Sequence, residues 1–291
     1  MDTLSVKRKI LLLAGKNSYN GKLSFVISYL HNRLRLPNLR HPKDLSEIWI
    51  KRVLDGEINN LANLADKYDV RNYVKERGLE SILTPLIAVY ESADEIDFDK
   101  LPDKFALKAN FGAGRNIICT DKSKLDLKQC REKVRQWLKP GVYSMAERHY
   151  NLIPKKFVCE EFIDDGNGGF PVDYKFMCIH GKVFCILGVE GRESGHSSYL
   201  PYTVDWQPVP EYYRGNSTAH EPLPRPSNLR EMVAVAESLS EGIDLVRVDL
   251  YSNGSRIWFG EMTLTPAGCI FHRWTQKALD DMGDAYRKHN T

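Results

Sequence analysis

The segment DLVRVDLYSNGSRIWFGEMTLTPAG, residues 244–268, reads as two strands joined by a turn at Asn253-Gly254. Its Val, Leu, Ile, Trp and Phe content belongs to strands inside a fold, yet it carries Arg247, Asp249 and Glu261. Alternate residues of a strand share a face. Arg247, Asp249 and Tyr251 therefore point one way, and Val246, Val248 and Leu250 the other. On the second strand Glu261 and Thr263 share a face. Two carboxylates with neighbouring oxygens suit a hard cation such as Mg²⁺. An arginine one step away suits a bidentate grip on phosphate oxygens. An ordinary cross-strand ion pair on a solvated face would use the same residues.

Register separates the two readings. A two-residue loop at Asn253-Gly254 would set Asp249 across from Trp258 and leave Glu261 on the opposite face. A three-residue loop, or a bulge at Gly260, shifts the parity and sets Glu261 across from Arg247. A shared cation therefore requires an odd-length loop or a bulge.

Outward from this hairpin the chain mixes strands and helices without regular βαβ alternation, so the class expected is α+β. Residues 1–60 read as a mostly helical N-terminal region, and 61–291 as one domain with an internal boundary near 157–165. NLANLADKYDVRNYVKERG reads as one helix stopping at Gly78. PLIAVY, KFALKA, NIICT and KKFVCEEFI read as strands, and DLKQCREKVRQWL as an amphipathic helix. VDYKFMCIHGKVFCILGV reads as a hairpin turning at His180-Gly181. Residues 191–227, rich in Pro, Gly, Ser and Tyr, read as a long loop. Its Tyr199, Tyr202, Trp206, Tyr212 and Tyr213 would either stack on sugar rings or anchor the loop.

Four further placements bear on chemistry. LKANFGAGRN sets Lys108 at a strand end before Gly112 and Gly114, where backbone N–H groups and a point charge suit phosphate. A plain glycine turn would look the same. Lys67 and Arg71, four apart on the expected helix, share a face, which a solvated basic surface would also produce. Asp173 and Lys175 share one face of a strand. Glu160 and Glu161 stand together near the end of an apolar strand.

Composition excludes several classes. The 291 residues carry a net charge of +3, with 42% hydrophobic and 27% charged residues. A bias this small, without a basic run interleaved with aromatics, argues against a nucleic-acid partner. The basic patch from Arg33 to Lys43 reads as a solvated surface or a guide for an anionic glycan. The apolar run Ile10 to Ala14 is shorter than a secretory h-region and reads as a strand or helix turn. No segment approaches the roughly 20 apolar residues of a membrane helix. The place expected is cytoplasmic, at most peripheral to the inner face of the membrane. The six cysteines form no CxxC pair and read as small hydrophobes rather than a disulfide or zinc framework.

The order of these pieces resembles the ATP-grasp superfamily, and within it the TupA-like branch associated with capsular and cell-wall polysaccharide genes. The resembling motifs are DKYDVRNYV, LPDKFALKANFGAGRNI, EEFI, DYKFMCIHGK, NLREMVAVAESLSEG, VRVDLY and FGEMTLTPAG, spanning about residues 60–270. The resemblance implies two α+β subdomains clamping ATP. It implies that Lys67 and Lys108 contact phosphates and that Gly112 and Gly114 form a lid. Glu160, Glu161 and Ile163 would line the nucleotide, with Glu161 and Ile163 offering backbone groups to adenine. Asp249, Glu261 and Thr263 would hold Mg²⁺. Arg247 would meet the transferring phosphate, and Lys175 and Arg192 would serve as further catalytic cations. Many superfamily members carry Glu-x-Asn where this chain has Glu261-Met262-Thr263; the branch shares the threonine.

The implied reaction is carboxylate–amine ligation through an acylphosphate. The carboxylate would come from a uronic acid of a glycan or its nucleotide-linked precursor, and the amine from an amino acid or amino sugar. An ATP-grasp phosphotransferase and a non-catalytic glycan-binding module are the alternatives.

Overall fold

The computed structural model describes residues 18–139, 145–166, 169–191, 197–215 and 221–288. The Ile10–Ala14 run and Arg192 lie outside the described residues. The chain forms two antiparallel sheets with helices packed around them, an α+β arrangement.

The first sheet contains β1 (Leu86–Tyr90), β2 (Phe105–Ala109), β3 (Asn116–Cys119) and β4 (Phe157–Glu161), in the order β1-β4-β2-β3. The second contains β5 (Val172–Ile179), β6 (Lys182–Glu190), β7 (Ser198–Tyr202), β8 (Leu245–Ser252) and β9 (Ile257–Thr263), in the order β7-β6-β5-β8-β9. β4 therefore ends one sheet and β5 opens the other.

The helices are α1 (Ser18–Arg33), α2 (Leu45–Leu54), α3 (Ala62–Ala65), α4 (Val70–Glu76), α5 (Leu127–Leu138), α6 (Leu229–Ser240) and α7 (Gln276–Lys288). α6 packs on β5, β6 and β8. Its buried Met232, Val235, Ala236 and Leu239 cover the apolar face made by Phe176, Val246, Val248 and Leu250. That leaves the other face of the second sheet for polar groups. α5 leans on the first sheet through Trp137, stacked 6.4 Å from Phe157. α2 starts in a capping box of Asp44 and Glu47. It ties the N-terminal helices to the end of β9, where Trp49 Nε1 donates to the Leu264 carbonyl at 2.6 Å.

Several expectations need correction. The single helix expected to run to Gly78 is two, α3 and α4, broken at 66–69. The Asp66 carboxylate captures the Tyr68 and Asp69 N–H groups at 2.8 and 3.3 Å. An aspartate that bonds nearby backbone competes with the helix ladder and ends it. Lys67 thus sits on a turn, not on a helix face with Arg71. Residues 191–227 are not all loop, because Ser198–Tyr202 forms edge strand β7. Three of its aromatics pack inward. Tyr202 and Trp206 stack 3.9 Å apart, Tyr202 is fully buried, and Tyr213 meets Trp274 edge-on. Tyr202, Trp206 and Tyr213 anchor the segment, while Tyr199 and Tyr212 stay half-buried.

The Arg33–Lys43 patch is equally structural at its start. Arg33 donates to the Trp274 and Phe271 carbonyls at 2.9 and 2.7 Å, and Arg35 pairs with Asp44 and Glu47. All six cysteines are free and buried. No helix among the described residues is long and apolar enough to cross a membrane.

His149, 2% exposed, lies in the 3₁₀ stretch Met145–Leu152 wedged against α1, α2 and α3. Burial pushes its imidazole down from 6.5 to about 4. The folded state therefore binds this proton less readily than the unfolded chain. Stability is full above pH 6.5 and falls as pH drops toward 4, by about 3 kcal/mol for this one group. Urea denaturation of wild type and His149→Phe between pH 7 and 4 is expected to show a shallower decline in the variant. Equal slopes would rule the effect out.

Candidate active site

The turn after β8 is four residues long, since Ser252 pairs with Ile257. An Asn-Gly dipeptide favours a two-residue turn, but Asn253 acts otherwise. Its Oδ1 accepts from the N–H groups of Ser255 and Arg256 at 3.1 and 3.0 Å, and Gly254 takes a left-handed φ of 89°. The side chain thus stitches a longer loop.

A four-residue loop preserves the unfavourable parity. Leu250 faces Phe259, but Asp249 faces Glu261, so Gly260 is the extra residue of a bulge. The expected device is present. Its consequence differs in one step, because Glu261 stands opposite Asp249, and Thr263 stands opposite Arg247.

Gly260 can bulge there because it has no side chain. A Cβ would lie 2.8 Å from the Asp249 carbonyl oxygen and 3.0 Å from the Tyr251 ring. Gly260→Ala is expected to cost about 1–3 kcal/mol through overpacking. It should also depress activity by disturbing the register. A variant with an unchanged urea midpoint and turnover would show that the bulge tolerates a methyl group.

β5 lies on the other side of β8 and sets Lys175 opposite Asp249, and Asp173 opposite Tyr251. Lys175, Asp249 and Glu261 consequently form one row across three strands. Arg247 donates to both oxygens of Asp249, at 2.6 and 2.7 Å, and to Thr263 Oγ1 at 2.9 Å. It reaches Glu261 at 3.3 Å. Lys175 bonds Asp249, and Asp173 at 3.0 Å. The Thr263 hydroxyl donates to Glu261 Oε1 at 2.9 Å. Asp249 is 2% exposed, whereas the Glu261 side chain keeps 38% of its surface open. Burial pushes the Glu261 carboxyl up, but Lys67, Arg247 and Lys175 outweigh it and hold the group at about 2.

The first sheet supplies the opposing wall. Lys67 Nζ donates to the Gly112 carbonyl at 3.1 Å. Burial pulls its amine below the ordinary lysine range, and Glu261 is the main charge opposing that shift. Lys67 therefore lies between the glycine loop and the carboxylate row. Gly112 and Gly114 take φ of 75° and 69°, conformations that favour glycine.

Lys108 pairs with Glu160 at 2.7 Å, and Arg71 takes the other Glu160 oxygen at 2.7 Å. The oddly placed carboxylate of an apolar strand is thus the shared partner of two cations. The Glu161 N–H is committed to the Pro85 carbonyl at 3.0 Å.

Between the sheets opens a cleft of about 680 Å³. Lys108, Glu161, Phe162, Ile163, Val189 and Tyr251 are among its lining residues. Of the expected site residues, Lys108, Glu161 and Ile163 line this cleft, while Lys175, Arg247, Asp249, Glu261 and Thr263 form one bonded cluster on the second sheet, with Lys67 reaching in from the 66–69 turn. Glu160 stands behind Lys108. Arg71 joins the set by holding Glu160, although its spacing from Lys67 pointed to a helix that does not form. The aromatic and aliphatic lining, Phe162 and Val189 for example, carries no sequence signal beyond ordinary strand composition.

Among the described residues, no group of three or more His, Cys, Asp or Glu converges as a ready metal site. The two facing carboxylates with the Thr263 hydroxyl nonetheless offer hard oxygens of the kind Mg²⁺ takes. That ion commonly uses one or two protein carboxylates and completes its shell with water and substrate phosphate.

The family model described as TupA-like ATPgrasp matches residues 47–286. Among solved structures, a D-alanine–D-alanine ligase from Bacillus anthracis is similar at 16% identity and TM-score 0.46, over 79% of this chain and 70% of that one. A D-alanine–D-alanine ligase from Helicobacter pylori is similar at 14% identity and TM-score 0.46, over 76% of this chain and 60% of that one. The D-cycloserine synthetase DcsG is similar at 12% identity and TM-score 0.40, over 78% and 71%. These structural likenesses are loose. No curated protein matches the sequence.

Proposed function

This chain belongs to the TupA-like ATP-grasp family, and we propose that it is an ATP-dependent carboxylate–amine ligase. The observation that carries this reading is the row Lys175–Asp249–Glu261, completed by Arg247 and Thr263 and by the charge of Lys67 near Glu261. Such a site concentrates positive charge and hard oxygen donors where a nucleotide's phosphates would lie.

A carboxylate does not react with an amine directly, because its oxygen is a poor leaving group. Transfer of the γ-phosphoryl of ATP gives an acylphosphate and ADP. The amine then attacks the acyl carbon, and phosphate leaves with the amide formed. The protein's contribution is placement and charge, since phosphoryl transfer needs little covalent help.

Lys67 and Lys108 would contact phosphates, under the glycine loop of Gly112 and Gly114. Glu161 and Ile163 would border the base, within the apolar lining of the cleft. Glu160 orients Lys108 through their ion pair. Asp249, Glu261 and Thr263 would hold Mg²⁺, which when bound neutralises phosphate charge. Arg247 and Lys175, each bonded to Asp249, would stabilise charge developing on the transferred group. The role of Arg192 as a further cation is part of the same proposal.

The family's polysaccharide association supports a uronic acid of a cell-surface glycan or its precursor as the carboxylate. An amino acid or amino sugar would supply the amine. The test is an ADP-release screen of uronic acids crossed with amines, with product masses recorded. ADP formed only when both partners are present, with an amide product, is the expected result. ADP and a phosphorylated acid without any amine would replace the ligase with a phosphotransferase. Failure to bind Mg-ATP at all would remove both.

A further inference from the structure

A second cluster of positive charge borders the same sheet face and takes no part in the chemistry proposed above. After β9 the backbone turns through left-handed residues at Ala267, Cys269 and Phe271, with φ of 50°, 67° and 52°. Arg33 donates to the carbonyls of Ile270, Phe271 and Trp274. Arg214 Nε donates to the His272 carbonyl at 3.0 Å and its NH2 to Asn32 at 3.4 Å, while the Arg214 N–H bonds the Arg273 carbonyl. Arg33 and Arg214 thereby reach the turn that carries His272 and Arg273.

Arg33 and Arg214 spend their bonds on carbonyl oxygens, and Arg33 Nε is buried without a partner. The mutual repulsion is visible. Burial, and then Arg214, hold the Arg33 guanidinium below its usual range. Burial, and then Arg273, Arg214 and Arg33, hold down the His272 imidazole.

Register locates the cluster. Tyr199 pairs with Val189, Val189 with Asp173 and Asp173 with Tyr251. Cross-strand partners share a face, so Tyr199 lies on the active face, one row from Lys175 and Asp249. The Arg273 guanidinium sits 5.2 Å over the Tyr199 ring, and Tyr213 stacks on the same ring at 5.7 Å. The Tyr213 phenol is close enough to feel both Arg273 and Arg247.

We infer that Arg214 and Arg273, with His272 and the charge of Arg33 behind them, form an oxyanion subsite that holds a second acidic group of the substrate, one that is not itself activated. The inference rests on the ligase reading in taking the Asp249 row as the reacting centre. It restricts the carboxylate substrate to molecules bearing at least one further carboxylate or phosphate, groups that arginine grips bidentately.

Calorimetry without nucleotide tests it, with trigalacturonate as the carboxylate probe and glucose 1-phosphate as the phosphate probe. Wild type is compared with an Arg214→Gln/Arg273→Gln variant. Arg33 is left in place because it ties down the turn. Wild type is expected to bind one of the probes, and the one bound identifies the anion. The variant should lose about tenfold or more in affinity at an unchanged melting temperature. If the double variant melts early, Arg273→Gln alone, whose side chain rests on Tyr199, serves the same comparison. Equal affinity in variant and wild type, or binding of neither probe to wild type, would overturn the subsite. Probe binding without any Mg-ATP binding would keep the subsite and sink the ligase reading.

Discussion

Glu261→Gln is expected to lower ATP turnover by about 10²–10³-fold, the effect of removing one preorganised electrostatic contact, while the protein melts close to wild type. The substitution keeps the shape and one oxygen of the side chain. It removes the charge toward which Lys67, Arg247 and Lys175 are drawn. The fold should tolerate it because the side chain keeps 38% of its surface in solvent and Asp249 still binds both strand cations. Steady-state ADP release beside a thermal melt reads both effects. Turnover within about threefold of wild type, well short of that expected loss, would detach Glu261 from the chemistry.

Asp249→Asn should act on stability as well as on turnover. Asp249 is 2% exposed and is the shared acceptor of Arg247 and Lys175. Deleting its charge leaves Arg247 only Glu261, and Lys175 only Asp173, as a carboxylate partner, and breaking a buried pair costs at most about 3–5 kcal/mol. Turnover should fall at least as far as in Glu261→Gln. A double-mutant cycle with Lys175→Met separates the two roles. Removing the lysine should recover part of the lost stability and none of the activity. A urea midpoint unchanged in Asp249→Asn would contradict the geometry of the row. The contrast between the two carboxylates makes Glu261 the cleaner probe of catalysis and Asp249 the structural centre of the site.

Much of this was legible in the residues alone. Period-two alternation marks both faces of β8, because a pleated strand buries every second side chain. The left-handed glycines at 78, 112 and 114 stand where the turns need them. The order of Lys67, Lys108, Lys175, Arg247, Asp249 and Glu261 points to the family before any coordinate, and the matched family model agrees. These are local or ordered properties, set by propensity and spacing.

Partners are another matter, because a side chain's partner depends on which distant strand lies beside it. Alternation cannot tell a four-residue loop with a bulge from a three-residue loop. The decision came from the carboxamide of Asn253 and the room left by Gly260. Lys175 meets Asp249 across 74 residues of sequence, a pairing fixed by the insertion of β5 beside β8. Asp66 breaks a helix that periodicity favours, since its carboxylate finds backbone N–H groups and the Asn110 amide. Arg33 looks like surface charge in sequence and is an internal clasp in the fold. The sequence by itself determined the class of fold, the family and the cast of charged residues. The tertiary structure decided which charges meet, because register and burial, not spacing, set the distance between them.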